Sequence, residues 1–381
     1  MELNIDKTGW KKVKFGEVCR QVNETARNPQ EEGLIHVVGL EHIGSNDLHI
    51  RSWNTLERET TFTRKFVKGQ VLFGRRRAYQ AKVAYAEFDG ICSGDILVFE
   101  AIKSKLLPEL LPFMVQSQKF YNKAVETSAG SLSPRTKFKD LADLEFLLPP
   151  KDQQARLAEL LWAADEVVER EMEVKENVER YLSNSIGVLY NSNSNKFKTL
   201  GNLCKIHPSY GANASACEYK GGFRYVRITD IDDSGCLIKT DIKGVVFEDT
   251  DKYRLVDNDL LIARTAVPGK SFLYKDEYGD CVYAGYLIRF RLNTELVNPK
   301  YVFYYTFSDV YWKWIQSTIK VGTVANINAQ EYASMKIPIC SLEKQNEIIS
   351  EIDSILALKN KAIGNWDLAQ KLKVGLINEI F

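Results

Sequence analysis

The sequence predicts an α+β fold: two tandem globular α+β domains separated by two long antiparallel coiled-coil helices, with pseudo-twofold symmetry. Three observations predict it. Blocks of the first half recur in order in the second, each half closes on a long proline-free run of helical period, and the segment ahead of each run is rich in β-formers broken by Gly and Asp. Length agrees, because 381 residues hold two or three domains.

The repeat comes first, since a missed repeat misreads the whole fold. The block Trp10 to Cys19 returns as Phe197 to Cys204, with the glycines Gly16 and Gly201 and the two cysteines each 185 residues apart. Val37–Ile43 returns as Tyr225–Ile231 at 188, and Phe66–Arg75 as Leu255–Arg264 at 189. Gly130 and Gln153 return as Gly322 and Gln345 at 192. The offset grows steadily, as it does between diverged copies that have gained small loop insertions.

The globular segments, 1–150 and 193–342, carry short β-rich runs such as Gln70–Phe73, Gly94–Phe99 and Tyr286–Arg291. Helical stretches follow at about 106–127 and 298–318. Asn191–Asn195 reads as a polar linker ahead of the second globular segment. The segments 151–192 and 343–381 read as spacer helices. Residues 152–190 hold no Pro and one Gly, residues 343–381 no Pro and two Gly, and each follows a proline, which suits a helix start. A stripe stepped by three and four residues runs from Ile349 through Ile352, Leu356, Lys359, Ile363 and Trp366 to Ile380. Subtracting 192 gives Leu157, Leu160, Ala164, Val167, Glu171 and Val174 onward to Val188, so the two helices are expected to pair along a 3.5-residue seam. A helix of this length spans roughly 58 Å. For the second to bury its stripe on the first it must run back along it, which predicts a dumbbell with a lobe at each end.

Composition removes several function classes. No apolar run reaches the ~18–20 residues that span a bilayer, and the polar start Met1–Lys7 is no signal peptide, so a cytoplasmic protein with no membrane partner is expected. Seven scattered cysteines without a C-x-x-C pair, and four histidines, argue against a disulfide framework and a metal site. The net charge of +1 hides a partition: residues 1–150 hold 22 basic and 19 acidic side chains and 196–342 hold 19 and 16, whereas 151–192 hold 5 and 9 and 343–381 hold 5 and 6. Both lobes are mildly basic and the spacer acidic, which suits lobes that grip DNA while the helices stay off it.

The sharpest local feature is Gly74–Lys82, directly after a predicted strand. Its Arg75, Arg76 and Arg77 have guanidinium forks that fit guanine or phosphate, Gln80 can pair adenine, Tyr79 can stack, and Lys82 adds a charge; a solvated basic turn is the bland reading. The repeat places Arg264, Thr265, Lys270 and Ser271 on the equivalent frame. Two later loops, Ser128–Thr136 with Ser131, Ser133 and Arg135, and Val321–Asn328 with Thr323 and Asn326, are small and polar and can carry phosphate or base contacts, as ordinary turns also look. Enzyme motifs fail. The segment 264–271 approaches a P-loop but has Arg264 where the first Gly belongs, and Asn298-Pro299-Lys300-Tyr301 lacks the second proline of an adenine methyltransferase motif and reads as a helix start. No catalytic residue is expected.

These features together resemble the specificity subunit of type I restriction–modification systems, over essentially the whole chain. The most specific element is the helix entry, Leu147-Leu148-Pro149-Pro150-Lys151-Asp152-Gln153-Gln154 and Ile337-Pro338-Ile339-Cys340-Ser341-Leu342-Glu343-Lys344-Gln345, each after a Gly-bearing polar loop. The resemblance implies two target recognition domains, each reading half of a bipartite double-stranded DNA site, with the helices as a ruler. It implies assembly with two methyltransferase subunits that use S-adenosylmethionine to methylate adenine N6, and with restriction subunits that use ATP and Mg2+, the chain itself holding no cofactor. Arg75, Arg76, Arg77 and Gln80 would then face the first half-site, and Arg227, Thr229, Arg264, Thr265 and Lys270 the second. Two other readings stay open: the specificity module of a methylation-only or other phage-defence system, which neighbouring genes would separate, and a dumbbell interaction scaffold that binds no DNA.

Overall fold

A computed structural model describes residues 5–56, 60–130, 132–192, 196–246, 250–319 and 325–381. The chain forms two compact units, Met1–Met172 with Gly364–Phe381, and Glu173–Ile363. Each contains one α+β lobe and part of both long helices.

In the first unit the strands are β1 (Lys11–Lys14), β2 (Cys19–Val22), β3 (His36–Val38), β4 (Asn54–Thr55), β5 (Arg64–Phe66), β6 (Val71–Gly74), β7 (Val83–Tyr85), β8 (Gly90–Cys92), β9 (Ile96–Ala101) and β10 (Glu145–Leu148). They form two four-stranded sheets, ordered β2-β9-β6-β7 and β4-β3-β8-β5, and a β1-β10 pair that ties the entry of the lobe to its exit. Strands β6 and β9 read as continuous apolar runs because both their faces are buried. A ring cluster of Phe15, Phe73, Phe99 and Phe120, packed mostly edge-on, fills the core on one side of this sheet.

The second unit repeats this plan. Its strands are β11 (Lys196–Thr199), β12 (Ser209–Tyr210), β13 (Cys217–Glu218), β14 (Arg224–Val226), β15 (Lys243–Gly244), β16 (Leu260–Ala263), β17 (Ser271–Leu273), β18 (Cys281–Tyr283), β19 (Leu287–Phe290) and β20 (Lys336–Ile339). The sheet β12-β19-β16-β17 matches β2-β9-β6-β7 strand for strand, β11-β20 matches β1-β10, and the parallel pair β14–β18 matches β3–β8. The duplication read from the sequence is therefore a duplication of topology.

The expected helices at 106–127 and 298–318 are each broken in two. Leu111–Gln116 is followed by Gln118–Glu126, and Pro299–Tyr305 by Asp309–Thr318. The cause is a buried serine at each break. Ser117 Oγ accepts from the Phe120 amide and Ser308 Oγ from the Tyr311 amide, so each caps a new helix instead of continuing the old one.

The central helix spans Lys151–Ser192 and the C-terminal helix Leu342–Ile380. In the first unit they run antiparallel: Ala158 and Leu161 share a core with Ile377, Ile380 and Phe381, and further along Asp165 meets Lys373 at 2.5 Å. In the second unit Ile186 and Tyr190 pack with Ile348, Ile349 and Ile352, and Glu179 meets Lys359 at 3.5 Å, again antiparallel. The C-terminal helix buries the expected stripe, with Ile349, Ile352, Ile377 and Ile380 all inside, whereas the central helix differs in phase from the sequence expectation. On the central helix the buried positions include Gln154, Ala158, Leu161, Asp165, Val168 and Ile186, whereas Leu160, Val167, Val174, Tyr181 and Val188 of the expected stripe are exposed. The equivalent glutamines are consequently Gln154 and Gln345. Gln154 Oε1 accepts from the Leu107 amide and Gln345 Oε1 from the Asn298 amide, each at 2.8 Å, while the amide nitrogens bond carbonyls at the helix entries, Pro149 O and Cys340 O.

The first lobe is tied to the long helices by a charge network. Asp165 and Lys373, each 3% exposed, form a buried pair, and His49 Nε2 bonds Asp165 while its Nδ1 bonds Glu87, both at 3.0 Å. Arg51 bridges Asp47 and Glu169. The hydrogen bond to Asp165 raises the His49 pKa to about 9 against the cost of burial. Burial works to raise the Asp165 pKa, but His49 and Lys373 together hold it below the usual carboxylate range. Among the described residues no helix is long and apolar enough to cross a membrane.

Candidate nucleic-acid interface

Both lobes build one backbone frame at the end of an inner strand, β6 of the β2-β9-β6-β7 sheet and β16 of the β12-β19-β16-β17 sheet. In the first, the Arg75 amide donates to Asp95 O at 2.9 Å, the Thr136 amide to Arg75 O at 3.1 Å, and Arg76 bridges Arg135. In the second, the Arg264 amide donates to Tyr286 O at 3.0 Å, the Ile327 amide to Arg264 O at 3.0 Å, and Thr265 bridges Asn326. Position by position the frame pairs Arg75 with Arg264, Arg76 with Thr265, Asp95 with Tyr286 and Arg135 with Asn326. The next residues, Arg77 and Ala266, both take left-handed backbone, φ 54° and 60°. A side chain there costs about 1–2 kcal/mol, and strain of this kind concentrates where a loop is shaped for binding.

The side chains on the first frame are a cationic cluster with one carboxylate. Arg135 grips Asp95 through Nε at 2.6 Å and Nη2 at 3.2 Å, Arg76 Nη1 lies 3.6 Å from the same carboxylate, and Arg76 Nη2 donates to Ser133 Oγ at 2.9 Å. Asp95 is held below the usual carboxylate range by the Arg135 hydrogen bond, against its partial burial. Arg75 lies lower down, its Nε buried with no partner among the described residues, and burial together with Arg64 pushes its pKa down. The sequence candidates Arg75, Arg76, Ser133 and Arg135 therefore converge. Arg77 and Tyr79 are exposed on the adjoining turn and Gln80 is half-buried there. Lys82 turns away, donating from Nζ to Leu40 O at 2.6 Å. Ser131 lies outside the described residues.

The second frame carries aromatic rather than carboxylate partners. The Arg264 guanidinium sits 4.7 Å above the Tyr210 ring, and its Nε donates to Asn326 Oδ1 at 3.1 Å. Tyr210 is itself fixed, because its hydroxyl accepts from the Ala329 amide at 3.0 Å. Gly211 lets this strand run tight against residues 283–284: a Cβ there would lie 2.3 Å from Tyr283 O. A concave pocket of about 700 Å³ opens beside the stack, lined by Tyr210, Ala212, Arg227, Thr229, Arg264 and Tyr286 among others. Arg227 is already paired with Asp230 at 2.6 Å, and Thr229 is exposed on the same turn. Lys270 faces Asp233 at 3.3 Å. Ser271 corrects the sequence reading: it is a core residue of β17, 5% exposed, its hydroxyl 2.6 Å from that of Thr306, and it has no surface to offer a ligand. Thr323, with the rest of residues 320–324, lies outside the described residues.

Residue reading missed Asp95, Tyr210 and Tyr286. A signal was present for two of them. Asp95 and Tyr286 each stand just ahead of the strand that pairs with the loop strand, in Ser93-Gly94-Asp95 and Ala284-Gly285-Tyr286, at the offset of the repeat.

Comparison with known proteins bears on the family and the fold. Over 143 residues the chain is 29% identical to the type I restriction enzyme EcoDI specificity subunit of Escherichia coli; the match covers 34% of this chain and 31% of that subunit, so it spans about a third of that relative's length. The S subunit of the type I restriction–modification system from M. genitalium superposes over 100% of this chain and 98% of its own, with a TM-score of 0.57 at 15% identity. A chain solved for the structural basis of complex assembly and conformational transition of the type I R-M system covers 98% and 97%, with a TM-score of 0.63 at 19% identity. At those identities the two structures speak for the fold. The family model described as the type I restriction modification DNA specificity domain matches twice, over residues 7–180 and 193–365. With both copies of the repeat matched, the chain belongs to the type I restriction–modification DNA specificity family.

Proposed function

We propose that this chain is the DNA-reading subunit of a type I restriction–modification complex, each lobe recognising one half of a bipartite duplex site. The chain performs no chemistry in this reading. Two methyltransferase subunits carrying S-adenosylmethionine methylate adenine N6 at the site it selects, and restriction subunits driven by ATP with Mg2+ cut unmodified DNA. One observation carries the proposal: the lobes share a backbone frame yet mount different polar side chains on it, Arg76, Asp95 and Arg135 against Thr265, Tyr286 and Asn326. A common frame with exchanged side chains is what two readers of two sequences need, because phosphate contacts set register while base-edge contacts set sequence.

The test is methylation-sensitive sequencing of host DNA with and without this chain, alongside binding by the chain assembled with its methyltransferase. The expected outcome is N6-methyladenine at one split motif, lost with the chain, and an affinity whose logarithm falls linearly with log salt. Unchanged methylation and salt-independent binding would refute it.

A further inference from the structure

An arginine whose Nε is already spent reads guanine through the end of its guanidinium, Nη1 and Nη2 together, and must be held so that this fork does not swing to the nearest phosphate. On the shared frame each lobe holds one arginine this way; off the frame Arg20, Arg227 and Arg291 are gripped by carboxylates through the same edge. Arg135 uses its side edge, Nε and Nη2, on Asp95, which leaves Nη1 and the outward N–H of Nη2 unspent. Arg264 spends only Nε, on Asn326 Oδ1, and its guanidinium lies 4.7 Å over the Tyr210 ring, so its fork is open as well. Since Arg264 can only donate, it also fixes the Asn326 amide with the oxygen inward. The two arginines occupy different positions of the shared frame, one on the returning loop and one at the strand end.

The surroundings favour a base over a phosphate. Asp95 puts a carboxylate against Arg135, and its negative charge repels a phosphate brought to the same guanidinium. Tyr210 is held by the Ala329 amide, which donates to its hydroxyl oxygen, and part of the wall beside it is built of small apolar residues such as Ala212 and Ala284. That stretch of wall accepts a flat base edge, and Arg227, the other cation of the pocket, is already neutralised by Asp230 at 2.6 Å.

Resting on the function proposed above, we propose that Arg135 and Arg264 each read a guanine, one in each half-site, and that Asp95 and the Tyr210–Asn326 pair are positioning residues that aim the two forks. Duplex selection tests it. The full chain, assembled with its methyltransferase subunits, selects from a pool randomised across both half-sites, and the enriched motifs are compared for wild type, Arg135→Lys, Arg264→Lys, Asp95→Ala and Tyr210→Leu. Wild type is expected to enrich a motif with a G·C pair in each half. Arg135→Lys and Asp95→Ala should lose roughly ten- to hundredfold discrimination at one pair of one half-site. Arg264→Lys and Tyr210→Leu should do the same in the other half, with the rest of each motif intact. The lysine variants keep the charge and remove only the fork, so they decide the matter alone if Asp95→Ala or Tyr210→Leu fails to fold. A half-site without a G·C pair, or variants that weaken all sequences equally as phosphate contacts do, would overturn the assignment. A wild-type complex that enriches no motif would instead overturn the DNA-reading itself, and this assignment with it.

Discussion

Asp165 shows how much one buried group can govern. It shares the interior with Lys373 and is reached from the lobe by His49. Lys373→Met leaves that carboxylate without its buried counter-ion and should lower the unfolding free energy by about 3–5 kcal/mol, whereas Asp165→Leu with Lys373→Met should recover most of the loss; denaturant melts of the three proteins decide it. His49 makes a pH prediction. Its pKa stands near 9 when folded and near 6.5 when unfolded, so folding takes up a proton between those values. The stabilisation is complete below pH 6.5 and disappears as pH rises through 9. Wild type should lose stability across that window and His49→Gln should lose less; identical slopes would refute the linkage. At this scale the basic loop was legible because three adjacent arginines follow a strand, and Arg75, Arg76 and Arg135 do converge. What hid was Asp95: a carboxylate ahead of a strand looks like any turn residue until a loop 40 positions later lays an arginine on it.

At the level of elements, both long helices, their direction and the buried stripe of the C-terminal helix were readable from period and proline placement, and the buried stripe of the central helix was not. Leu160 and Leu161, and Val167 and Val168, are apolar neighbours, so two adjacent stripes compete on the central helix and hydropathy favours the wrong one. The stripe that is buried is the one carrying Asp165 and Gln154, the polar residues that hydropathy disfavours. Their partners, Lys373 and the amide of Leu107, lie far off in sequence and rescue them. The split of the 106–127 and 298–318 helices has the same character, since a serine within a helical stretch gives no sign that its hydroxyl will cap a new helix. The glutamine clamps invite a direct measurement. Gln154→Leu should leave the Leu107 amide and two carbonyls unserved, and Gln345→Leu the Asn298 amide and one carbonyl. Each should cost about 1–3 kcal/mol, with the first loosening the first unit and the second the second, as hydrogen exchange at residues 105–111 and 298–305 would report.

For the whole molecule, duplication was the strongest signal in the sequence, because four blocks in one order survive divergence that erases individual contacts. In the proposed function the long helices set the number of base pairs between half-sites. One heptad added to each lengthens it by about 10 Å, up to about three base-pair steps at 3.4 Å. The methylated motif of such a variant should gain spacer bases without change to either half; an unaltered spacer would show that something other than the helices measures the gap.

The first unit is built from both extremes of the chain, with Ile377, Ile380 and Phe381 in the same core as Phe15 and Phe146, while the second is one uninterrupted stretch. Vectorial synthesis therefore reverses the usual order of maturation. The amino-terminal lobe emerges from the ribosome early yet lacks part of its interior until residue 381 follows, by which time its sister can already have closed. A nascent intermediate with one finished reader and one open hydrophobic face is thus built into the connectivity, and a circular permutant that joins 364–381 ahead of residue 1 should shorten its lifetime.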